Sequence, residues 1–282
     1  MATNAFSSDL SAPDDIARQL IDCLPAFQEV SWIDVTGSTN SDLLERVRKD
    51  RRREKPWLLG THHQKQGRGR AGRPWQDRPG ATLMFSCAFD IHLPAVELPT
   101  LSLVAGLIAC EALRQSAGPQ ATGLCIKWPN DVQWHDSKLA GVLVETLRNP
   151  GTPSGYSVII GIGINLCDAA HLSQTFDRPI SDWTQVCAGA PRSASTIDLV
   201  CAVATAWHDA ICQLEIRGFS AFCARFEKLD ALIGRPVNVV DQGAVLFSGT
   251  ARGVDSQGRL LLQTHSGLTP VCVGKISVHL QA

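Results

Sequence analysis

LCIKWPNDVQWHDSKLAGVLVETL (residues 124–147) and YSVIIGIGINL (residues 156–166) decide the fold of this 282-residue chain. Both stretches are rich in the apolar and β-branched residues typical of strands, whereas HDSK at 135–138 has the composition of a turn. A hairpin followed by a third strand is the economical interpretation. Charged and amide side chains lie at the ends of these predicted strands, and glycines lie inside them, so the same stretches also carry candidate chemistry.

Outside these stretches the pattern contains both helices and strands, which is compatible with an α+β fold. Strands are predicted in EVSWIDVT, PWLLGTHH and ATLMFSCAF, and helices in LLERVRKD, in LPTLSLVAGLIACEALRQ and over 197–229. We expect a loosely ordered leader at 1–30, a main domain at 31–232 and a small domain at 233–282. Turns at DQGA, DSQGR and HSGL divide the last part into short strands, a spacing suited to a small barrel.

Composition limits the classes of function. A net charge of −1 argues against a general nucleic-acid or membrane-surface binder, whose basic excess would extend over the whole chain. The ten cysteines occur singly, without CxxC or zinc-finger spacing, which favours reduced thiols in the core. No signal peptide is recognisable, and no apolar segment is expected to reach transmembrane length. These features predict a soluble protein of the cytoplasm.

GRGRAGRPW at 67–75 places three arginines among three glycines. It lacks the GK[ST] of a Walker loop and does not open a helix as a dinucleotide fingerprint does. Glycine gives the backbone mobility, and Arg68, Arg70 and Arg73 offer forked donors suited to phosphate or carboxylate. A loop that closes over an anion is one interpretation. An exposed basic loop without a role and a nucleic-acid contact are the others.

KWPND at 127–131 places a cation, an amide and a carboxylate within five positions. Lys127 is suited to a phosphate, and the oxygens of Asn130 and Asp131 are suited to Mg²⁺. Pro-Asn-Asp is equally a good turn sequence, so an ordinary β-turn remains open. In KLAGVLVE, Lys138 begins a strand that contains Gly141, which indicates close approach of a ligand or of another backbone. A solvent-exposed lysine is the alternative.

The order of these motifs is more specific than any one of them. STN at 38–40, QKQGRGRAGRPW at 64–75, KWPND, KLAGVLVE and GIGIN at 161–165 follow one another. In this order they resemble the biotin–protein ligase family, as do the closing RFEKLDALIGRPV and GKIS. The resemblance covers roughly residues 30–282. About thirty residues before it cannot hold a helix-turn-helix and a linker, so the chain resembles the ligase-only type without a DNA-binding domain.

The resemblance implies a catalytic domain like that of class II aminoacyl-tRNA synthetases, with a mixed sheet and flanking helices, followed by an SH3-like barrel. It implies that biotin and ATP react with Mg²⁺ to give biotinyl-AMP and pyrophosphate. A lysine of the biotin carboxyl carrier domain of a carboxylase then takes the biotin. The expected partner is therefore that carrier domain, without DNA or membrane, and the protein is expected to be a monomer or a homodimer.

The resemblance also assigns roles to residues. It assigns catalysis to Lys138, Arg68, Arg70 and Asp131. Biotin contacts fall to Ser38, Thr39, Asn40, Gln64, Arg68, Lys138 and Gly141. ATP contacts fall to Arg70, Arg73, Lys127, Asn130, Asp131 and Asn165, with Asp131 also a Mg²⁺ ligand. Gly161 and Gly163 should let a ligand approach the sheet, and Trp183 should cover the adenine. Lys275 and His279 depart from the family, where an acidic residue and an arginine are common.

Three other functions remain open on the sequence. A lipoyl or octanoyl ligase or transferase shares the expected catalytic fold but usually lacks this set of motifs. A nucleic-acid-binding module would use the same arginines on phosphates and would lose affinity steeply with salt. A biotin sensor would bind biotin without transferring it.

Overall fold

The computed structural model describes residues 11–188, 190, 194–274 and 276–281. The predictions for residues 1–10 and for Lys275 lie outside these ranges.

A seven-stranded mixed sheet forms the centre of the main domain, in the order β1-β2-β3-β7-β6-β5-β4. Its strands are β1 (Glu29–Thr36), β2 (Trp57–Gln64), β3 (Thr82–His92), β4 (Leu124–Lys127), β5 (Asp131–Trp134), β6 (Ser137–Arg148) and β7 (Gly155–Asn165). The strands β1 and β2 are parallel, and all other neighbours are antiparallel. The mixed sheet expected for the α+β fold is therefore present.

The hairpin predicted around HDSK joins β5 to β6. Trp134 pairs with Ser137, and the two residues between them, His135 and Asp136, have φ angles of 46° and 65°. Two positive φ angles in a two-residue loop match the twist of the flanking strands. The third predicted strand, β7, then pairs with β6 along most of its length. This local prediction succeeds because turn chemistry and strand pattern lie next to each other in the chain.

Seven helices of the described chain accompany this sheet: α1 (Pro13–Cys23), α2 (Thr39–Lys49), α3 (Thr100–Ala117), α4 (Ala169–Phe176), α5 (Trp183–Val186), α6 (Thr196–Arg217) and α7 (Ser220–Leu229). Alternate strand residues point to opposite faces, so the sheet separates two hydrophobic clusters. The larger one buries α3, α6 and residues such as Phe85, whereas the smaller one packs α2 against Leu59 and Ala88.

Two helices replace the continuous one predicted over 197–229, because the chain turns at Gly218 with a φ of 67°. By length and composition, α6 could cross a membrane, contrary to the expectation that no segment reaches that length. Its residues Leu199, Val203 and Trp207 are instead buried in the large cluster, and Trp207 Nε1 donates to Ala105 O at 2.9 Å. These contacts are those of a core helix.

The expected loose leader is wrong for residues 13–24. Ile16, Leu20 and Leu24 are buried in the large cluster, so α1 belongs to the core of the main domain. The expectation that all cysteines are reduced is also wrong for one pair, because a disulfide joins Cys23 on α1 to Cys201 on α6. Both differences have one cause: an amphipathic helix near the start of the chain finds its partners far away in sequence.

The C-terminal part is a five-stranded antiparallel sheet in the order β11-β10-β9-β8-β12. Its strands are β8 (Pro236–Asp241), β9 (Ala244–Val254), β10 (Leu260–Thr264), β11 (Gly267–Val271) and β12 (Ser277–Leu280). It packs against the main domain, where Trp128 Nε1 donates to Gly258 O at 3.1 Å. The C-terminal sheet therefore borders the region that holds KWPND. The division of the chain at 30/31 and 232/233 stays a prediction.

Candidate active site

A cavity of about 330 Å³ collects most of the predicted site residues from segments that are distant in the chain. This volume is within the range of small-molecule sites. Its lining includes Ser38, Thr39, Asn40, Gln64, Arg68, Arg70, Arg73, Lys127, Asn130, Asp131, Lys138, Gly141, Gly161, Gly163 and, from the C-terminal sheet, His279. The structure therefore brings these motifs together around one cavity.

The glycine–arginine stretch folds back on itself as a small hairpin. The Trp75 N–H donates to Gly67 O at 2.8 Å, and the Gly69 N–H donates to Arg73 O at 2.7 Å. A Cβ on Gly67 would lie only 2.3 Å from Trp75 O, so no larger residue fits there. Ala71, at the tip, has a φ of 54° in the left-handed region. We call residues 67–75 the arginine loop.

Arg68 is held at one end of the cavity by Glu145, a residue that sequence analysis missed. Arg68 Nη2 donates to Glu145 Oε1, and Asn40 Nδ2 donates to Glu145 Oε2 at 3.0 Å. Asn40 Oδ1 accepts from Ser86 Oγ at 2.6 Å and occupies the space that a Cβ on Gly161 would need. Gly161 thus makes room for Asn40, not directly for a ligand. The acidic residue in an otherwise apolar strand was the available signal for Glu145.

Arg70 connects the arginine loop to two other parts of the cavity. Its Nη1 donates to Asn130 Oδ1 at 3.1 Å, and its Nη2 donates to Gly274 O at 2.8 Å. Burial lowers the pKa of the Arg70 guanidinium, and the negative charge of Asp131 opposes that shift. Asn130 is itself fixed by donating from Nδ2 to Val142 O. Arg70 therefore links the loop, the KWPND turn and the C-terminal sheet.

Buried hydroxyl and amide groups line another wall. The Thr39 N–H donates to Gln64 Oε1 at 2.8 Å, so Gln64 satisfies a donor at the start of α2. Thr39 Oγ1 lies 2.6 Å from Ser86 Oγ. Ser38 immediately precedes α2, and its side chain makes no capping hydrogen bond. Its hydroxyl is therefore available to a ligand.

Lys138 lies at the centre of the site. Its Nζ donates to Asp131 Oδ1 at 2.6 Å and lies 5.5 Å from the centre of the Trp75 ring. The backbone is equally constrained, because the Lys138 N–H donates to Pro179 O at 3.1 Å and its carbonyl accepts from the Ser181 N–H at 3.0 Å. The ammonium group is thus held in place by a carboxylate, an aromatic face and a fixed backbone.

Further cations gather around Lys127. Burial lowers the pKa of its ammonium group, Asp131 opposes the shift, and the charges of Lys138 and Arg178 add to it. Burial also lowers the pKa of His279, with smaller contributions from Lys127 and Arg73. Within the described parts of the chain, no carboxylate forms an ion pair with Lys127, Arg73 or Arg178. A region with unpaired cations is suited to a polyanion.

Trp75 is the second residue that sequence analysis missed. A Cβ on Gly163 would lie 2.3 Å from Trp75 Cε2, and one on Gly141 would lie 3.1 Å from Trp75 Cζ3. These strand glycines therefore make room for the indole. Its Nε1 is buried without a hydrogen-bond partner in the described structure. An aromatic residue at the end of a flexible charged stretch was the signal for it.

Two predicted residues do not line the cavity. Asn165 donates from Nδ2 to the carbonyls of Lys138 and Ser181, both at 3.2 Å, so it supports the backbone behind Lys138. Trp183 is fully buried in the large hydrophobic cluster, so the expectation that it covers the adenine is wrong. Core residues that are distant in the sequence surround it.

Few side chains of the described residues could serve as ligands to a metal ion. The described residues contain no group of three or more His, Cys, Asp or Glu side chains that could hold a metal ion. Asp136 lines the cavity but pairs with Arg235, which leaves Asp131 as the carboxylate beside Lys138. Mg²⁺ is commonly bound by one or two carboxylates together with substrate phosphates. Asp131 fits that mode and does not form a cage of protein ligands.

Comparison with known proteins identifies the family to which both parts of the chain are similar. Residues 32–165 match the biotin/lipoate A/B protein ligase family, and residues 232–278 match the biotin protein ligase C-terminal domain. The chain is 30% identical over 268 residues to the biotin--[acetyl-CoA-carboxylase] ligase of Mycobacterium tuberculosis, covering 93% of each chain. It is 31% identical to the bifunctional ligase/repressor BirA of Salmonella typhimurium, covering 88% of this chain and 74% of that protein.

The fold also matches a solved structure. The biotin protein ligase of Aquifex aeolicus in complex with biotin and ATP has a TM-score of 0.72 and 24% identity, over 90% of this chain and 100% of that one. This likeness concerns the fold. Two regions of the chain match this family, and 30% identity to a ligase extends over 93% of the chain. The chain therefore belongs to the biotin protein ligase family.

Proposed function

We propose that the protein is an ATP-dependent biotin–protein ligase. It converts biotin and ATP to biotinyl-5'-AMP and pyrophosphate, and it then transfers biotin to a lysine of a biotin carboxyl carrier domain. The main observation in support of this proposal is the ion pair between Lys138 and Asp131, which lies beside the Trp75 ring in a cavity that the arginine loop also lines. The family and the named activities of the relatives support the same reaction.

In the first step, a carboxylate oxygen of biotin attacks the α-phosphorus of ATP, and the bond between that phosphorus and the β-phosphate oxygen breaks. The nucleophile is already an anion, so no general base is needed. The barrier comes from bringing two negative groups together, and fixed cations lower it. In this proposal Lys138 bridges the carboxylate and the α-phosphate, while Arg68 and Arg70 neutralise them from the arginine loop.

In the second step, the amine of the carrier lysine attacks the acyl carbon of biotinyl-AMP. The bond from that carbon to the AMP oxygen breaks, AMP leaves, and the nitrogen loses a proton as the amide forms. Asp131 is the proposed acceptor of that proton because its carboxylate lies beside the reaction centre. Closure of the arginine loop would keep water away from the anhydride between the two steps.

Biotin and ATP take opposite parts of the cavity in this proposal. Ser38, Thr39 and Gln64 present hydroxyl and amide groups to the polar ring of biotin. Lys127, Arg73 and Asn130 surround the phosphates, and Asp131 is the carboxylate that would hold Mg²⁺, which supplies further charge neutralisation when bound with ATP. Asn165 acts behind Lys138 and not on the nucleotide.

The finer fold assignments belong to the same proposal. The main domain is proposed to be like class II aminoacyl-tRNA synthetases, and the five antiparallel strands of the C-terminal part to be an SH3-like barrel. The expected location is the cytoplasm, where ATP and carrier domains meet. The eight described cysteines outside the Cys23–Cys201 pair form no disulfide, which suits that location.

The choice of acid tests the proposal against its nearest rival. ATP–pyrophosphate exchange is measured with biotin or with lipoate as the only acid. Exchange that depends on biotin is expected. Exchange with lipoate but not with biotin would instead make the protein a lipoate ligase, which the matched family also contains.

A further inference from the structure

Arg178 lines the cavity, although no motif of the sequence pointed to it. It follows the end of α4, where Asp177 adopts a left-handed φ of 47° and the Arg178 N–H donates to Ser173 O at 3.3 Å. The helix end therefore turns the chain back toward the cavity at this residue. The Ser173 hydroxyl donates to Ile180 O at 3.2 Å and accepts from the Ile180 N–H at 3.0 Å, which closes the turn.

The backbone that follows Arg178 is fixed against β6. Pro179 O accepts from the Lys138 N–H at 3.1 Å, and the Ser181 N–H donates to Lys138 O at 3.0 Å. The Ser181 hydroxyl adds a bond to Ser137 O at 3.1 Å. Arg178 therefore directly precedes a backbone segment that is hydrogen-bonded to Lys138, the lysine at the centre of the proposed reaction. Its position is set by the sheet, although its side chain is exposed.

The Arg178 guanidinium carries an uncompensated charge. It lies 5.4 Å from the centre of the Phe176 ring, and no carboxylate or other hydrogen-bond acceptor holds it within the described chain. Its charge also reaches Lys127, where it adds to the effect of burial in lowering the pKa of the ammonium group. Two mutually repelling cations at one side of a cavity are stabilised by an anion between them.

The location of Arg178 indicates which part of the substrate it meets. Arg68 is bound to Glu145, seven residues beyond Lys138 on β6, a distance of roughly 23 Å along a strand. Arg178 lies beside the start of that strand, near Lys138, whereas the Arg68–Glu145 pair lies further along it. The reacting carboxylate and α-phosphate meet at Lys138, so the phosphates beyond the α-phosphate extend toward Lys127 and Arg178.

We propose that Arg178 binds the β- and γ-phosphates of ATP, together with Lys127, and contacts the pyrophosphate that the first step releases. This inference rests on the proposed ligase reaction, to which it adds a residue from the segment between α4 and α5. A guanidinium can bind phosphate oxygens through two parallel N–H donors, which an ammonium cannot do.

Three variants test the assignment: Arg178→Gln, Arg178→Lys and, as a control with the same charge change on an exposed strand residue outside the cavity, Arg252→Gln. Calorimetry measures the affinity for inorganic pyrophosphate and for biotinyl-AMP, and steady-state kinetics gives KM for ATP and for biotin. Arg178→Gln is expected to weaken pyrophosphate binding and raise KM for ATP about tenfold or more, with a smaller effect for Arg178→Lys. Biotinyl-AMP, which lacks these phosphates, should bind all variants equally.

Two results would overturn the assignment. One is wild-type pyrophosphate affinity in Arg178→Gln, and the other is an equal loss of biotinyl-AMP affinity, which would place Arg178 on the adenylate or on the structure of the site. Pyrophosphate binding is measured on the protein alone, without biotin. Failure of the ligase reaction itself would therefore be recognised separately, by the absence of biotin-dependent exchange in the wild type.

Discussion

At the residue scale, the structure places the Lys138 ammonium before any substrate is bound. Asp131 Oδ1 lies 2.6 Å from Nζ, and the Trp75 indole lies against it. A donor fixed in advance does not have to be reorganised during the reaction, which is why such groups contribute strongly to rate.

Lys138→Ala should therefore reduce biotin-dependent ATP–pyrophosphate exchange by at least about 10²-fold to 10³-fold, with the fold intact by circular dichroism. Lys228→Ala, which removes an exposed lysine on α7, is the matched control and should exchange at the wild-type rate. Turnover of Lys138→Ala like that of the wild type would mean that another group bridges the carboxylate and the α-phosphate.

Residue types in the site were largely predictable, but their partners were not. The arginines, Lys138 and Asp131 stand in motifs whose chemistry is local in sequence. Glu145 and Trp75 act through contacts between β6, α2 and the arginine loop, which no single stretch displays. The burial of Trp183 was missed for the same reason.

At the element scale, the arginine loop is attached through two of its arginines: Arg68 pairs with Glu145, and Arg70 reaches Asn130 and Gly274. Arg70 is the one that links the loop to both the KWPND segment and the C-terminal sheet. Hairpin bonds between Gly69 and Arg73 would remain without the Arg70 side chain, so the loop would keep its shape and its Arg68 contact but lose this link.

Arg70→Gly should weaken biotin binding and let biotinyl-AMP escape into solution, because the loop no longer closes over the anhydride. Filtration of a single-turnover reaction and measurement of biotinyl-AMP in the filtrate would detect this. Retention of the adenylate as tight as in the wild type would contradict the closing role of the loop.

Helix α1 is the element that sequence analysis placed wrongly, and its packing has a measurable consequence. Leu20 is fully buried in the large hydrophobic cluster, whereas its neighbour Ile21 is 54% exposed. Leu20→Ala should lower the free energy of unfolding by about 2–5 kcal/mol, and Ile21→Ala should change it by no more than about 0.5 kcal/mol. Urea unfolding of both variants decides the matter. Equal, small effects of the two substitutions would indicate that α1 is only loosely attached, as the sequence analysis expected.

Elements whose contacts lie close together in the sequence were predicted correctly, and elements that depend on distant contacts were not. The β5–β6 hairpin was found because its turn and strands are contiguous, and most of the sheet followed from apolar runs. The break between α6 and α7 at Gly218 was overlooked, since a single glycine is a weak stop signal within a helical pattern.

At the scale of the whole molecule, Asp230 lies where the chain passes from α7 to the C-terminal sheet. Burial raises the pKa of its carboxyl to about 6, although the Leu232 N–H donates to Oδ1 at 2.9 Å. Its Oδ2 is buried without a partner in the described structure. The folded pKa is above that of the unfolded chain, so the folded state holds the proton more tightly, and stability is lost as pH rises through about 6.

Asp230→Asn removes this titration and keeps the acceptor for Leu232. Relative to the wild type, the free energy of unfolding of the variant should rise by roughly 2 to 3 kcal/mol between pH 4 and pH 8. Asp22→Asn, at an exposed position on α1, is the control and should not show this trend. A pH-independent difference between wild type and Asp230→Asn would mean that the Asp230 carboxyl has the same pKa in the folded and unfolded states.

The measurement that tests the central claim most directly is transfer of biotin to protein. The protein is incubated with ATP, Mg²⁺, biotin and the biotin carrier domain of a carboxylase, and the mass of the carrier is determined. We expect the carrier to gain the mass of one biotinyl group. This gain should require both ATP and biotin, and Lys138→Ala should abolish it. An unchanged carrier mass, together with no biotin-dependent pyrophosphate exchange, would contradict it.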